Sequence, residues 1–379
     1  SVRPMSSPTA SPAIAIHRSL RDGARVPSAV LADEGRTSVV RLALEGSVIA
    51  APEGGAIVAG LARDCDVLIE NFKVGGLARY GLDCARLSAA NPRLVYASIT
   101  GFGQDGPYAE RAGYDFIVQG MSGFMSVTGE RDDLPGGGPQ KAGVAITDIM
   151  TGMYAAVSIL AALAVRDRTG LGQHIDCALL DSAVAMMAVM DMNYFVTGTP
   201  PGRAGNAHQN IVPYQVFACA DGHLILAVGN DGQFARFCAV AGMPHWAEDP
   251  RFVRNADRVR HRAVLVPMIE PVLRARTQRD WLVALEAAGV PCGPIHKLDA
   301  VFADAQVRAR GMELSLPHPL AGRVPLVGPP MKLSATPAVP ERAPPLLGEH
   351  TAAVLQQRLG IDAGALERLA ATGIVGVRS

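Results

Sequence analysis

The sequence predicts an α/β protein built on a parallel sheet, followed by a second, smaller domain. Three observations carry that expectation. Between residues 52 and 99, segments with helical apolar spacing alternate with short, almost wholly apolar segments, the pattern of strands covered on both faces. Of the 379 residues, 49% are hydrophobic and 18% charged, which suits large buried cores and excludes a disordered scaffold. Beyond residue 212 the pattern changes to a hairpin and polar, amphipathic helices.

Residues 1–50 carry prolines at positions 4, 8, 12 and 27 among Ser, Ala and Arg, and yield neither an amphipathic helix nor a buried strand. They read as an atypical, disordered segment. Rich in Ser and Arg and free of acid before Asp22, they resemble a transit peptide weakly. From Pro52 the chain becomes legible. Glu53–Arg63 is helical in spacing, Asp66-Val-Leu-Ile-Glu70 is an apolar strand, Leu77–Ser88 is helical in period, and Arg93–Ile99 is a second buried strand.

An uncharged helix covers Ile149–Val165, Gly170-Leu-Gly172 turns the chain, and His174–Leu180 is the next strand, followed by an apolar helix through Met190. Thr197–Asn210 has Gly, Pro, Arg, Asn and His without periodicity, as a linker and functional loop would. Tyr214–Cys219 and His223–Val228 alternate around Ala220-Asp221-Gly222, a hairpin signal. Thr277-Gln-Arg-Asp280 reads as a capping box for the helix holding Trp281 and Leu285, and Gly289–Ile295 as a strand-like turn. A proline-rich stretch, 317–345, then crosses the surface before two short closing helices.

Bulk properties narrow the function. With 35 basic and 35 acidic residues there is no global field to attract nucleic acid or acidic lipid, and aromatics, at 5%, are too few for base-stacking platforms. Cys65, Cys84, Cys177, Cys219, Cys238 and Cys292 are dispersed, with no CxxC and no metal-ligand spacing, so they read as free thiols and no metal site is expected. The 17 uncharged residues Ile149–Val165 include Thr151, Gly152, Tyr154 and Ser158, so a core helix is expected and a membrane span is not. No apolar signal region opens the chain, so the expected location is cytoplasmic, with the mitochondrion second.

The most informative chemical feature is Ala145-Ile-Thr-Asp148-Ile-Met-Thr-Gly152, a single carboxylate at the mouth of an uncharged helix. An acid there is ordinarily a cap. The sharper reading is a nucleophilic or proton-transferring Asp148 kept ionised by the helix end, and the rest of the chain favours it. Gly101-Phe-Gly103-Gln-Asp-Gly106 matches GxGxxG after a strand, but Pro107 follows at once and no acid ends a second strand twenty residues on, so a dinucleotide turn is rejected. His208, in the flexible polar loop Gly205-Asn206-Ala207-His208, suits a lid over a pocket. Asp181 begins a helix as a cap, and Cys292 has no base partner in the sequence.

Together these residues resemble the family III CoA-transferases, the CaiB/BaiF group. The resemblance rests on Asp66-Val-Leu-Ile-Glu-Asn-Phe72, Gly76-Leu-Ala-Arg79-Tyr-Gly81, Asn91-Pro-Arg-Leu-Val-Tyr96 and Ser98-Ile-Thr-Gly-Phe-Gly-Gln-Asp-Gly-Pro107. Gly113-Tyr-Asp115, Asp148-Ile-Met-Thr-Gly152, Thr169-Gly-Leu-Gly-Gln173, Val290-Pro-Cys-Gly-Pro294 and Ala343-Pro-Pro-Leu-Leu-Gly-Glu-His350 extend it to the end of the chain. The stretch from Ala207-His208 to Ile211-Val-Pro-Tyr-Gln215 looks most like members that move CoA between succinate and glutarate or similar dicarboxylates.

The resemblance implies a Rossmann-like large domain of two segments, 51–205 and 310–379, a small domain at 206–309, and an interlocked homodimer. It further implies that Asp148 is the catalytic carboxylate, reacting through a mixed anhydride and an aspartyl-CoA thioester. CoA would lie against Asn71, Phe72, Lys73 and Arg79, the two cations suiting its phosphates. Gly113, Tyr114 and Asp115 would stand near the thioester, and Gly205–His208 would cover the intermediate. Coenzyme A thioesters are then substrates, alongside a carboxylic acid, and nothing is permanently bound.

Racemases of the same superfamily have Gly-His-Asp where this chain has Gly113-Tyr114-Asp115, and a phenol of reference pKa about 10 is a poor base at neutral pH. The transferase reading therefore stands above a 2-methylacyl-CoA racemase. The family opens with a strand, a Leu-Ala-Gly-Pro turn and an Ala-Asp-Val-Ile-Lys-Val-Glu strand, none of them recognisable in residues 1–50. That departure keeps open an alternative: a CoA-binding or scaffold protein without turnover.

Overall fold

The structure is a computed structural model that describes residues 13–17, 39–43 and 49–377. Contacts divide the chain into two compact units, one of Ser1–Met125, Lys141–Pro200 and Arg342–Ser379, the other of Ser126–Gln140 and Pro201–Glu341.

The first unit is organised on a parallel sheet of order β2-β1-β3-β4-β5, with β1 Ala13–His17, β2 Val39–Ala43, β3 Val67–Glu70, β4 Val95–Thr100 and β5 His174–Ala178. The alternation read from the sequence is the cause. Helices α1 (Pro52–Ala62) and α2 (Cys84–Ala90) cover one face, burying Val58, Leu61 and Leu87 with Leu68, Leu94 and Tyr96. Val354, from Thr351–Leu359, the first of the two closing helices, completes that layer. The chain continues through α3 (Asp115–Met121) to the long helix α4 (Ile146–Thr169). On the opposite face Val67 and Val95 pack against Ala162, Ile159 and Leu163 of α4. Helices α5 (Leu179–Ala185) and α6 (Val189–Thr197) follow β5.

Four expectations need correcting here. Residues 1–50 were read as lacking strands, yet β1 and β2 pair in parallel, and β1 carries the pairing on to β3. Five-residue strands flanked by proline-rich chain leave too short a pattern to see. The remainder of the disordered-segment reading lies outside the described residues. Leu77–Ser88 is not one helix but a 3-10 turn, Ala78–Tyr80, and α2. Gly81 at φ 70° breaks the run, and Asp83 restarts it by accepting the Arg86 N–H at 3.1 Å.

The uncharged helix was expected to be a core helix. It buries one face, through Thr147, Thr151, Ala155, Ala162 and Arg166, the last paired with Asp66. Ile149, Met153, Val157 and Leu160 form an exposed stripe, at 52, 56, 61 and 67%. By length and composition α4 could cross a membrane, as could the bent pair of α5 and α6. An uncharged sequence permits burial on every side, but the described residues cover only one.

The domain boundaries also differ. Residues 310–341, expected to return to the large domain, form an antiparallel hairpin, β9 Glu313–His318 with β10 Gly322–Val327, grouped with the second unit. Residues 126–140 join that unit too. The Gly205 N–H donates to Gly129 O at 3.1 Å, Arg203 Nε donates to Glu130 O at 3.1 Å, and Arg203 pairs with Asp132.

The rest of the second unit follows the predicted pattern. Strands β6 (Tyr214–Ala218), β7 (His223–Ala227) and β8 (Cys292–Pro294) form an antiparallel sheet. It packs on helices α7 (Asp231–Val240), α8 (Asn255–Arg260), α9 (Arg262–Leu273) and α10 (Gln278–Ala287). Phe217, Leu224, Phe234, Phe237, Leu265, Trp281 and Leu285 are buried at its centre. Thr277 caps α10, accepting the Asp280 N–H at 3.2 Å. All six cysteines are free, four of them buried.

Candidate active site

Adjacent parallel strands send their carboxyl ends into two loops that hold five of the twelve predicted residues. The end of β3 leads to Asn71, Phe72, Lys73 and Arg79, and the end of β4 to Gly101–Gly113. Between the strands Glu70 is in register with Ser98, and Ser98 with Asp176 of β5. Glu70 is buried. Its Oε2 accepts the Phe72 N–H at 2.7 Å, and its carboxylate is also bonded by Ser98, whose Oγ lies 2.9 Å from His174 Nε2. Burial pushes the Glu70 carboxyl above the usual carboxylate value, the bonds from Ser98 and Phe72 pull it back, and the charge of Asp176 adds to the rise. Lys73 and Arg79 are exposed, and neither has an ion pair among the described residues. Arg79 lies over the Tyr80 ring at 4.5 Å. Both are exposed cations of the kind that bind anionic ligands.

Gly101, the first glycine of the GxGxxG segment, makes a close backbone contact with Gly113. A Cβ on Gly101 would stand 2.4 Å from Gly113 Cα, and one on Gly113 would stand 2.3 Å from Gly101 Cα. Two backbones touch here, and only glycine on both allows it. Thr100 Oγ1 and Asp176 Oδ2 hold the intervening loop through the N–H groups of Gly103 (3.0 Å) and Gln104 (2.8 Å). This contact delivers Tyr114, 57% exposed, and Asp115 at the start of α3.

Asp115 then caps the helix of Asp148. Its Oδ1 accepts the Thr147 N–H at 2.9 Å and the Thr147 hydroxyl at 2.7 Å. Oδ2 accepts Gln119 Nε2 at 2.7 Å, while Gln119 Oε1 accepts the Ala142 N–H at 2.8 Å. Burial raises the Asp115 carboxyl, but these bonds outweigh it and hold the group below the usual value. The residue preceding α4, Ala145, offers no side-chain cap, so the orphan N–H groups are satisfied from 32 residues away.

Asp148, in the first turn, therefore does not act as the cap, and the residue is exposed among the described residues. Its pKa is raised, first by desolvation and then by the charge of Asp115. Both causes act against the preference of a helix N-terminus for the ionised form. A more basic carboxylate is a better nucleophile.

In the second unit the Gly205–His208 loop is tied down rather than free. The His208 N–H donates to Tyr214 O at 2.9 Å, His208 Nδ1 accepts the Asn210 N–H at 3.0 Å, and the ring lies 5.3 Å from that of Tyr214. Ala207 N–H donates to Ala204 O at 3.0 Å, leaving Asn206 exposed at the tip. Arg262 Nη2 donates to His208 O at 2.6 Å and Gln209 O at 2.8 Å. Buried Arg258 donates through Nε to Val212 O at 2.6 Å and pairs with Asp231 at 2.9 Å.

Gly113, Tyr114, Asp115 and Asp148 are thus brought together around one helix end. Asn71, Phe72, Lys73 and Arg79 form a second group, and Gly205–His208 belong to the other unit. Sequence reading missed Gln119, Thr147, Glu70, Arg262 and Asp176. The i,i+4 pair Asp115–Gln119 was a visible signal. The others needed the fold.

The profile of CoA-transferase family III matches residues 48–351. Succinate--glutarate CoA-transferase of Agrobacterium fabrum is 52% identical over 306 residues, 81% of this chain and 76% of that protein. Succinyl-CoA:glutarate CoA-transferase of Mus musculus is 40% identical over 324 residues, 86% of this chain and 73% of that one. A crystal structure of a CAIB/BAIF family protein from Brucella suis superposes with a TM-score of 0.71 at 44% identity, covering 85% and 82% of the two chains.

Proposed function

Because this chain belongs to CoA-transferase family III, we propose that it moves CoA from succinyl-CoA, or a related acyl-CoA, to glutarate or a similar dicarboxylic acid, with Asp148 as nucleophile. The observation that carries the assignment of Asp148 is its release from capping. Asp115 supplies the helix end's hydrogen bonds, so the Asp148 carboxylate is left for chemistry on a rigid first turn.

In this mechanism Asp148 attacks the donor thioester carbonyl, and the C–S bond breaks to give a mixed anhydride and CoA thiolate. The thiolate attacks the aspartyl carbonyl of the anhydride, which releases the donor acid and leaves an aspartyl-CoA thioester. The acceptor carboxylate attacks that thioester, giving a second anhydride and CoA thiolate again. Attack of the thiolate on the acceptor's acyl carbon then forms the product thioester and frees the Asp148 carboxylate. No net proton is exchanged. Lys73 and Arg79 hold the CoA phosphates, and Asn71, Phe72, Gly113 and Tyr114 line its path.

The exposed stripe on α4 supports a homodimer, because a second copy would cover an apolar row that one protomer leaves open. Six free cysteines favour a reducing compartment, and the cytoplasm is the proposed location. A second reading, CoA binding without turnover, is favoured by one observation: the family match begins only at residue 48. An assay of succinyl-CoA against a panel of dicarboxylates separates the two. New acyl-CoA identifies the transferase. Retained CoA binding without transfer identifies the binding protein.

A further inference from the structure

Glu70 has no part in the transfer steps above, yet it is a carboxylate sealed into the sheet, 6% exposed at the end of an apolar strand. A charged group in that position is costly unless its hydrogen bonds accomplish something. One bond runs along the chain to the Phe72 N–H at 2.7 Å, and the other runs across the sheet from Ser98. The first fixes the direction in which the backbone leaves β3. The second ties that exit to the neighbouring strand, with His174 behind Ser98 at 2.9 Å. The next residues are Asn71, Phe72 and Lys73. Phe72, partly buried, packs against the core cluster that holds Leu68 and Leu77, and the Gly76 N–H closes a turn on Lys73 O at 2.8 Å.

We infer that Glu70 is the positioning residue of the acyl-CoA site: by accepting the Phe72 N–H while anchored to Ser98, it sets the backbone course that presents Asn71, Phe72 and Lys73 to the nucleotide portion of CoA. This rests on the reading that residues 71–79 hold CoA. The function requires an acceptor oxygen facing Phe72 and a polar atom facing Ser98, not a charge. Glutamine supplies both, its amide oxygen for the N–H and its NH2 group for Ser98 Oγ. Methionine has similar length and volume but supplies neither.

The test measures CoA affinity by calorimetry and steady-state kinetics with succinyl-CoA on the full chain. Glu70→Met should raise both the Kd for CoA and the KM for succinyl-CoA about tenfold, with kcat within about twofold, the loss expected when a buried acceptor is removed. Glu70→Gln should stay within about twofold of the parent in all three. Ser98→Ala, which releases Glu70 at one end, should fall between them. Unchanged CoA affinity in a folded Glu70→Met protein overturns the inference, as does a loss confined to kcat. Should the Met variant fail to fold, a tenfold loss of affinity in Glu70→Gln, or parent-like affinity in Ser98→Ala, overturns it equally. A Lys73→Ala/Arg79→Ala variant isolates the underlying reading. If it binds CoA as the parent does, the assignment of 71–79 fails and the inference falls with it. If it loses CoA while Glu70→Met does not, only the inference fails.

Discussion

The Asp115 carboxylate accepts the backbone N–H of Thr147, the residue before Asp148, at 2.9 Å and, through its charge, raises the pKa of the Asp148 side chain. One acid thereby fixes the position of another and makes it more basic. The same contact answers the question posed by an acid at a helix mouth, since capping and chemistry have been divided between two residues.

Replacing the nucleophile should separate activity from stability. Asp148→Asn should lower transfer by about 10³-fold or more, and hydroxylamine should no longer trap an acyl group on the peptide containing residue 148. The fold should gain. A carboxyl whose pKa is raised on folding contributes stability below its unfolded pKa and loses it as pH rises through the folded pKa, so at pH 7 the ionised Asp148 opposes folding. Urea denaturation should therefore show the Asn variant at least as stable as the parent at pH 7, with the difference vanishing in acid. A less stable variant at pH 7 would count against the assigned environment.

Asp115→Asn should act in two ways. Its NH2 group would face Gln119 Nε2, and Gln119 cannot flip without leaving the Ala142 N–H unpaired, so stability should fall by about 1–3 kcal/mol. Loss of the charge should also move the acid limb of the rate profile to lower pH, because one of the two causes raising Asp148 is gone. In the parent, the contribution of Asp115 is present above its unfolded pKa, near 3.8, and disappears as pH falls through its lowered folded value. A rate profile unmoved by the substitution would refute the coupling.

The Gly101–Gly113 contact makes a sharp steric prediction. Gly101→Ala and Gly113→Ala each drive a methyl group into backbone, and should cost roughly 2–3 kcal/mol with loss of transfer, since Tyr114 and Asp115 must shift. Gly106→Ala, where nothing lies within 4 Å but φ is +82°, should cost only about 1 kcal/mol and retain activity. Thermal melts with parallel assays would test the contrast; equal penalties at all three positions would contradict it.

The apolar row on α4 predicts self-association. Sedimentation should show a dimer at micromolar concentration, and Leu160→Glu, at the most exposed position of the row, should shift it toward monomer with little change in the protomer's secondary structure. A parent that sediments only as monomer would remove the support for a homodimer.

What the sequence determined by itself was local. The apolar runs 67–70 and 95–100 between amphipathic helices specify parallel strands covered on both sides, because only that arrangement buries every side chain of such a run. Thr277 announces a helix start, because a cap is satisfied within three residues. Asp148 could be singled out because an acid opening an uncharged helix is conspicuous in one dimension. The tertiary structure alone decided what that acid is for. The cap of its helix comes from Asp115, the glycine pair 101 and 113 is a backbone crossing that GxGxxG imitates, and the Gly205–His208 loop is held by Arg262, 54 residues on from His208. Each of these is a hydrogen bond or contact between segments distant in the chain, whose partners are set by how strands and helices stack. No periodicity within a short window encodes them.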